Sequence, residues 1–402
     1  MYTLTQIYTG LSGLIIANTV ATGTRYLGVM GTLTVPGAPT GVSAVAGNAL
    51  ATVSFTAPVN NGGETIDYYT ASSSPGGITS ATTSPTSVVV TGLSNGTPYT
   101  FTVYAHSVIG TSTASVATSP AVTPTNPCPA TGGTPTSDAT YCYNTYTTVG
   151  TDSFVVPSGS ISADVLVVAG GGGGGGNTGG GGGGGGVLSL NLSISGSNDI
   201  GVGDGGAVNP PWYNGSNGGD SSFGTNIAYG GGGGGTDQGY GGNGGSGGGG
   251  GYWSVKGPGT GISGQGYDGG IGDPTFNAAG GGGGAGGLGQ VGQVISGLAC
   301  GGNGGEGFVS SISGSSHVYG SGGGGGGGAG NGTIFGNPAY GLGGTGGGNG
   351  GAGQGEGTGR NPSAATYYGG GGGGAAWAGS GLDPWSGQVG YQGIVIVRYL
   401  KQ

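Results

Sequence analysis

Side chains able to do chemistry are scarce in this chain and stand far apart. Of 402 residues, 14 are Asp or Glu, 5 are Lys or Arg, 2 are His and 3 are Cys. His106 closes the run TFTVYAH with no acidic or cysteine neighbour, the setting of a satisfied edge imidazole. His317 follows Ser315 and Ser316, but no acid adjoins it to complete a nucleophile–base–acid relay. Asp268 and Asp273 in YDGGIGD offer oxygen ligands of the kind calcium takes, yet isolated carboxylates in glycine-rich turns ordinarily just build the turn. No persuasive pair of carboxylates presents itself for glycoside cleavage. The GxGxxG pattern recurs, but a dinucleotide site needs a strand and helix around it, and no helical periodicity is visible. A phosphate loop of the GxxxxGK[ST] type does not occur, because lysine is found at Lys256 and Lys401 alone. Cys128, Cys142 and Cys300 lack zinc-ligand spacing. Cys128 and Cys142, fourteen apart, either close a loop through a disulfide or stand as two unrelated thiols, while Cys300 reads as a small buried hydrophobe. The expectation is a non-enzymatic protein without metal or cofactor.

Recognition chemistry is better represented. Aromatic rings stand beside Asn, Asp, Pro or Ser in NPPWYNGSN (Trp212, Tyr213), GYWSVKG (Tyr252, Trp253), GYDGG (Tyr267), NPAYG (Tyr340), NPSAATYYGG (Tyr367, Tyr368) and AAWAGSGLDPW (Trp377, Trp385). Rings next to amides suit contact with sugars or proteins. The same rings could instead cap and cover the elements that carry them, and both readings stay open at each position.

Charge narrows the partners. The net charge of −9 and the few cations argue against nucleic acid or an anionic membrane surface, both of which require Lys and Arg density. The longest apolar patch, LSGLIIANTV from Leu11, falls short of the roughly 20 residues a spanning helix needs. No Lys or Arg precedes it, so with Met1 as the start it makes a poor secretion signal.

Two compositions share the polypeptide: 98 of the 117 glycines fall in the last 233 positions. Before them, residues 36–124 read as all-β. VSAVAG, ATVSFTAP, IDYYTASSS, TSVVVTGL and YTFTVYAHS alternate with period two, separated by turns such as Asn60-Asn61-Gly62-Gly63 and Ser94-Asn95-Gly96. Strands at this spacing predict a β-sandwich. PGAPTGVSA, VSFTAP and GLSNGTPYTFTVYA resemble a fibronectin type III module. That resemblance implies a tyrosine corner built on Leu93 and Tyr99, and it puts Phe55 where the family usually has Trp. Residues 1–35 read as a β-prone docking segment and residues 125–150, rich in Pro, Thr and Gly, as a linker.

Residues 151–402 pose the physical problem. Ordering a backbone costs about 1–2 kcal/mol per residue, and glycine loses most, so disorder is the default for a glycine tract. Apolar strands bracket these runs, however: DVLVV at Asp164, GVLSLNLSI at Gly186 and GIVIVRYL at Gly393. The runs also recur at similar lengths, as in Gly170–Gly176, Gly179–Gly186, Gly280–Gly284, Gly322–Gly328 and Gly369–Gly374. Packed polyglycine-II helices would reconcile these facts. With three residues per turn and no internal hydrogen bonds, each N–H and C=O points outward to a neighbour, at roughly 0.5–1.5 kcal/mol net per bond.

DSFVVPSGSISADVLVVAGGGGGGG, VLSLNLS, DSSFG at Asp220 and the terminal GIVIVRY resemble the glycine-rich domain of phage tail-fibre and other virion proteins. The resemblance implies a sandwich of polyglycine-II helices whose loops contact a host receptor. A polyglycine-II region also occurs in the anaplastic lymphoma kinase ectodomain, so such a lattice alone does not mean a phage. The fold class expected is mainly β, a fibronectin-III-like sandwich plus polyglycine-II helices with short flanking strands. The function expected is a structural adhesin of a phage virion, a tail-fibre or host-recognition component. Its partners would be other virion proteins through the N-terminal segment and a host cell-surface protein or glycan, with self-association left open and neither nucleic acid nor membrane insertion. Two alternatives stand beside it: a capsid decoration or head-fibre protein, and a secreted bacterial surface adhesin or matrix protein.

Overall fold

A computed structural model describes residues 25–26, 29–30, 33–253, 257–275, 277–295, 298–328, 341–348, 361–376 and 386–402. The chain divides into two compact units, Met1–Pro127 and Cys128–Lys401. Most of the expected docking segment, residues 1–35, lies outside the described residues; within it β1 (Arg25–Tyr26) pairs antiparallel with β2 (Val29–Met30).

In the first unit, β3 (Thr40–Ala46), β4 (Leu50–Thr56) and β7 (Ser87–Thr91) form a three-stranded sheet. A second sheet runs β6 (Thr79–Thr82), β5 (Tyr68–Ser74), β8 (Thr100–Ser107) and β9 (Gly110–Thr111). Period-two alternation turns Val53, Phe55, Tyr69, Ala71, Val90, Phe101 and Val103 into one core between them. Phe55 is buried and packs tilted on Tyr69 at 4.8 Å, so the core closes without a Trp. The buried Tyr99 hydroxyl accepts the Ser94 N–H at 3.1 Å, the bond of a tyrosine corner, above buried Leu93. The sheet edge beyond β8 carries a device of its own. Ser112, Ser115 and Thr118 each donate a backbone N–H to Ala105, Val103 and Phe101, and each hydroxyl accepts the N–H of that same residue at 2.9–3.0 Å. A hydroxyl at every third position thus finishes an edge that a regular strand would pair.

The second unit is organised by a seven-stranded antiparallel sheet in the order β10 (Thr134–Ser137), β11 (Tyr141–Tyr146), β20 (Ile394–Leu400), β12 (Gly150–Val168), β13 (Val187–Val202), β14 (Ser221–Phe223), β15 (Asn226–Ala228). Its long members are β12 (Gly150–Val168) and β13 (Val187–Val202), joined across the first two glycine runs. The C-terminal β20 (Ile394–Leu400) inserts between β12 and β11 (Tyr141–Tyr146). DVLVV and IVIV are continuously apolar because both faces of the sheet are covered there. Val165, Val167, Val395 and Val397 enter one core with Phe154 and Tyr399, while Leu166, Val168, Ile394 and Ile396 enter another with Tyr319. Asp164 on β12 meets Arg398 on β20 at 2.7 Å, and the guanidinium lies over the Tyr141 ring at 4.8 Å.

The linker expected at residues 125–150 needs correction. Its β10 (Thr134–Ser137) and β11 are integral strands, and Cys142 on β11 is disulfide-bonded to Cys128 with Cα atoms 5.6 Å apart. Proline, threonine and glycine gave the segment a linker composition, but β11 is held by β20, whose residues lie some 250 positions away. Small ribbons complete the unit: β14 (Ser221–Phe223) with β15 (Asn226–Ala228), β16 (Gln293–Ile295) with β17 (Leu298–Cys300), and β18 (Phe308–Ser310) with β19 (His317–Tyr319).

The described residues contain no helix of any kind, so the polyglycine-II helices expected from the sequence are not borne out as helices. The glycine runs are buried segments, neither helix nor strand, tied to neighbours by their own amides. The bonding has a period of three. Gly170, Gly173 and Gly176 donate to Gly219, Ser216 and Tyr213; Gly171 and Gly174 to Tyr391 and Gln388; Gly172 and Gly175 to Gly183 and Gly180. One run is therefore held by three neighbours on three sides. In the next run Gly180, Gly183 and Gly186 donate to Gly235, Gly232 and Tyr229, while Gly181 and Gly184 donate to Gly280 and Gly283 in a parallel sense. Side chains enter at the ends of the runs, as at Ala169, Ala279, Ala285 and Ala375. Asn177 and Thr178, both with φ near 50°, turn the first run back into the second.

Candidate recognition site

The turn at Asn177–Thr178 marks the end of the lattice away from β12 and β13, and several loops are tied together around it. Gly176 donates to the Tyr213 carbonyl, and the Asn177 amide Nδ2 donates to Asp237 Oδ2 at 3.2 Å. The Asp237 carbonyl accepts the Trp253 N–H at 2.8 Å. Asn214 joins two further loops: its Oδ1 accepts the Thr236 N–H at 2.9 Å and its Nδ2 donates to the Tyr240 carbonyl at 3.2 Å. The first loop is itself braced by Tyr213 N–H on the Pro210 carbonyl and by Asn209 Nδ2 on the Asn214 carbonyl at 2.6 Å. Asn side chains thus take over where backbone pairing stops, which is why amides accompany the aromatics in sequence.

Rings project from this frame. Trp212 and Tyr213 are each 63% exposed, Trp253 is 64% exposed and Tyr240 is 58% exposed. Tyr252 differs: it is buried, with its ring 5.8 Å from that of Trp253 in an edge arrangement. Burial, helped by the charge of Asp237, pushes its phenol up from the ordinary value. Tyr252 supports the neighbouring Trp253 while Trp253 meets solvent. Four exposed rings stand on loops whose backbone is already hydrogen-bonded, so little backbone ordering is left to do on contact.

Of the remaining sequence-predicted positions, those the structure describes are not part of this rim. Tyr367 and Tyr368 stand at the opposite end, where Gly185 donates to Gly369, and pack against the core of Val168, Ile394 and Tyr319. Tyr367 stacks on His317 at 5.4 Å, and Tyr368 meets Tyr391 edge-on at 5.5 Å. Burial pushes the Tyr319 phenol up to about 12. Tyr267 is 48% exposed and lines a groove beside Val187. Tyr340, Trp377 and Trp385 lie outside the described residues. Tyr240 was overlooked in sequence because Gly-Tyr-Gly carries no adjacent Asn or Pro; its exposure follows from the turn at Thr236.

The histidines and the two aspartates singled out in the sequence hold structural places. His106 Nδ1 pairs with Thr111 Oγ1 at 2.9 Å, its ring stacks on Tyr68 at 4.3 Å, and burial lowers its pKa. His317 Nε2 pairs with Ser315 Oγ at 2.8 Å while its ring lies on Tyr367. Asp268 accepts the Gly261 N–H at 2.7 Å across the loop between them, and Asp273 accepts the Thr275 N–H at 2.8 Å within its turn. Among the described residues no group of three His, Cys, Asp or Glu is placed to hold a metal.

Among solved structures the chain is similar to domains A168–A170 of titin, at 21% identity and a TM-score of 0.21 over 23% of this chain and 33% of that one. It is similar also to the FN1–FN3 domains of chicken CNTN1, at 14% identity and a TM-score of 0.22 over 42% and 59%. A third similarity is to chitinase ChiA74 from Bacillus thuringiensis, at 19% identity and a TM-score of 0.18 over 34% and 20%. The chain thus spans about a third of the titin fragment. No curated protein matches it. A fibronectin type III domain is matched over residues 37–121, the sandwich with the tyrosine corner. The amide-bonded runs and the sheet that brackets them coincide with the glycine-rich domain matched over residues 147–400, and with more than half its length so matched the chain belongs to that glycine-rich domain family.

Proposed function

We propose that this chain is a non-enzymatic structural protein of a phage virion, a tail-fibre or host-recognition component whose glycine-rich unit presents aromatic loops to a cell-surface protein or glycan. The observation that carries the reading is the rim of Trp212, Tyr213, Tyr240 and Trp253, four exposed rings on loops whose backbone is held by the Asn177, Asn214 and Asp237 bonds. Tyr and Trp flanked by amides are effective anchors, because large contact area comes at the cost of ordering only two side-chain torsions. The fibronectin type III module acts as a spacer, and the N-terminal segment joins other virion proteins. Purified protein should bind susceptible cells, and Trp212→Ala with Trp253→Ala should abolish most of that binding while leaving the melting profile in place. Equal binding by the double variant would remove the rim from the recognition surface.

A second reading draws support from the Cys128–Cys142 bond. Disulfides persist in oxidising surroundings, which suits a secreted bacterial surface adhesin as well as a released particle. Gold-labelled antibody on purified particles separates the two, since label along a fibre or on a capsid supports a virion protein and label confined to cell envelopes supports the adhesin.

A further inference from the structure

A cavity of about 660 Å³ opens on the glycine-rich unit at the end of the lattice nearest β13, away from the aromatic rim. Its volume falls within the range of small-ligand pockets, about 300–1,000 Å³. Val187, Leu288 and Phe308 supply apolar wall, Tyr267 supplies a half-exposed ring, and Ser189, Ser263 and Asp268 supply polar groups. Among the described residues no Lys, Arg or His lines it.

The lining is held in place before any ligand arrives. Tyr267 is tied through both backbone groups, its N–H to the Gly284 carbonyl at 3.2 Å and its carbonyl to the Gly247 N–H at 2.9 Å. The loop ahead of it closes through Gln265 and Gly266 N–H groups on the Ile262 carbonyl. Gln265 locks that loop to the next segment, its Oε1 accepting the Tyr229 N–H at 2.9 Å and its Nε2 donating to the Ile227 carbonyl at 3.0 Å. Asp268 is oriented by the Gly261 N–H on its Oδ1.

We propose that this groove binds a short neutral oligosaccharide. A pyranose has an apolar C–H face, matched by Tyr267 and Leu288, and a rim of hydroxyls, matched by a carboxylate acceptor and two serine hydroxyls. Asp268 together with the lack of cationic lining disfavours phosphate, sulfate and uronate ligands. The site is independent of the aromatic rim: the two stand at opposite ends of the glycine runs.

The test is saturation-transfer NMR and titration of the full chain with N,N′-diacetylchitobiose, maltotriose and cellotriose. At least one should receive saturation on its ring C–H protons, and Tyr267→Ala and Asp268→Asn should each weaken it about tenfold or more. Tyr267→Phe keeps the ring and should retain binding, which separates loss of the stacking face from loss of the fold. Absence of transfer to all three sugars at millimolar concentration would overturn the proposal. So would binding unchanged in Tyr267→Ala and Asp268→Asn, or binding lost instead in Trp212→Ala, which would move the sugar to the rim.

Discussion

A methyl group added at Gly182 would sit 2.7 Å from the carbonyl carbon of Gly172 and 2.9 Å from the carbonyl oxygen of Gly173, and closer still to the Gly172 oxygen. Comfortable carbon contacts begin near 3.5 Å, so the two runs must part by roughly 1 Å. They are joined by Gly172 N–H on the Gly183 carbonyl at 2.8 Å and Gly175 N–H on the Gly180 carbonyl at 2.9 Å. One ångström more carries both beyond the 2.7–3.2 Å range of an N–H···O bond. No side chain yields to absorb the strain, since the obstructing atoms are backbone on every side. Each lost bond strands buried groups at about 1–3 kcal/mol, so Gly182→Ala should cost the second unit roughly 2–6 kcal/mol. In a unit of this size that lowers its melting temperature by roughly 4–24 °C. The matched control is Gly257→Ala, where an added methyl meets no heavy atom of the described residues within 4 Å and φ is not left-handed. It should be neutral or gain up to about 1 kcal/mol. Calorimetry of both variants decides the matter. A Gly182→Ala unit that melts with the wild type and with Gly257→Ala would refute close backbone packing as the source of stability.

Three further outcomes are expected. Tyr99→Phe should lower the stability of the fibronectin unit by about 1–2 kcal/mol, seen as an earlier urea midpoint, because the Ser94 N–H loses its acceptor; an unmoved midpoint would show that water replaces the hydroxyl. Replacing Cys128 and Cys142 together by Ala should destabilise the second unit by up to about 3 kcal/mol on the chain-entropy account, and reducing agent should then have no added effect on its melting. The Asp138 carboxyl is held down to about 2 by the Tyr143 hydroxyl and the Tyr141 and Thr140 amides, and Asp164 is held below its ordinary value by Arg398 and Asn191. Both are depressed in the folded state, so their stabilisation is present above about pH 4 and fades as pH falls toward 2. Urea midpoints followed down that range should decline less steeply in Asp164→Asn, and identical slopes would remove the Arg398 pair from the acid response.

Much of the architecture was legible because it rests on local pattern. Alternation in YTFTVYAHS and the spacing of Leu93 from Tyr99 mark the sandwich, and the purity of the glycine runs marks segments with no room for a side chain. What escaped reading depends on distant partners. YCYNTY is paired on one side by the local strand Thr134–Ser137, but its other side is covered by GIVIVRYL from the far end of the chain. The hydroxyls of Ser112, Ser115 and Thr118 recur at a spacing of three, a period that belongs to neither strand nor α-helix. The aromatic loops were recognisable as a class, but their division between two ends of the lattice was not. That division follows from the directions in which the runs lie, and a glycine run carries no side-chain pattern to state its direction. Trp212 and Trp253 are consequently exposed at one end, while Tyr367 and Tyr368 are drawn against the core at the other.

Amide hydrogen exchange across Gly170–Gly186, read by mass spectrometry on the intact chain, tests the central claim most directly. Amides bonded on three sides inside a solid of backbone should exchange orders of magnitude more slowly than an unstructured glycine peptide, with protection matching that of β12 and β20. Exchange at the rate of the free peptide, alongside protected strands, would contradict it.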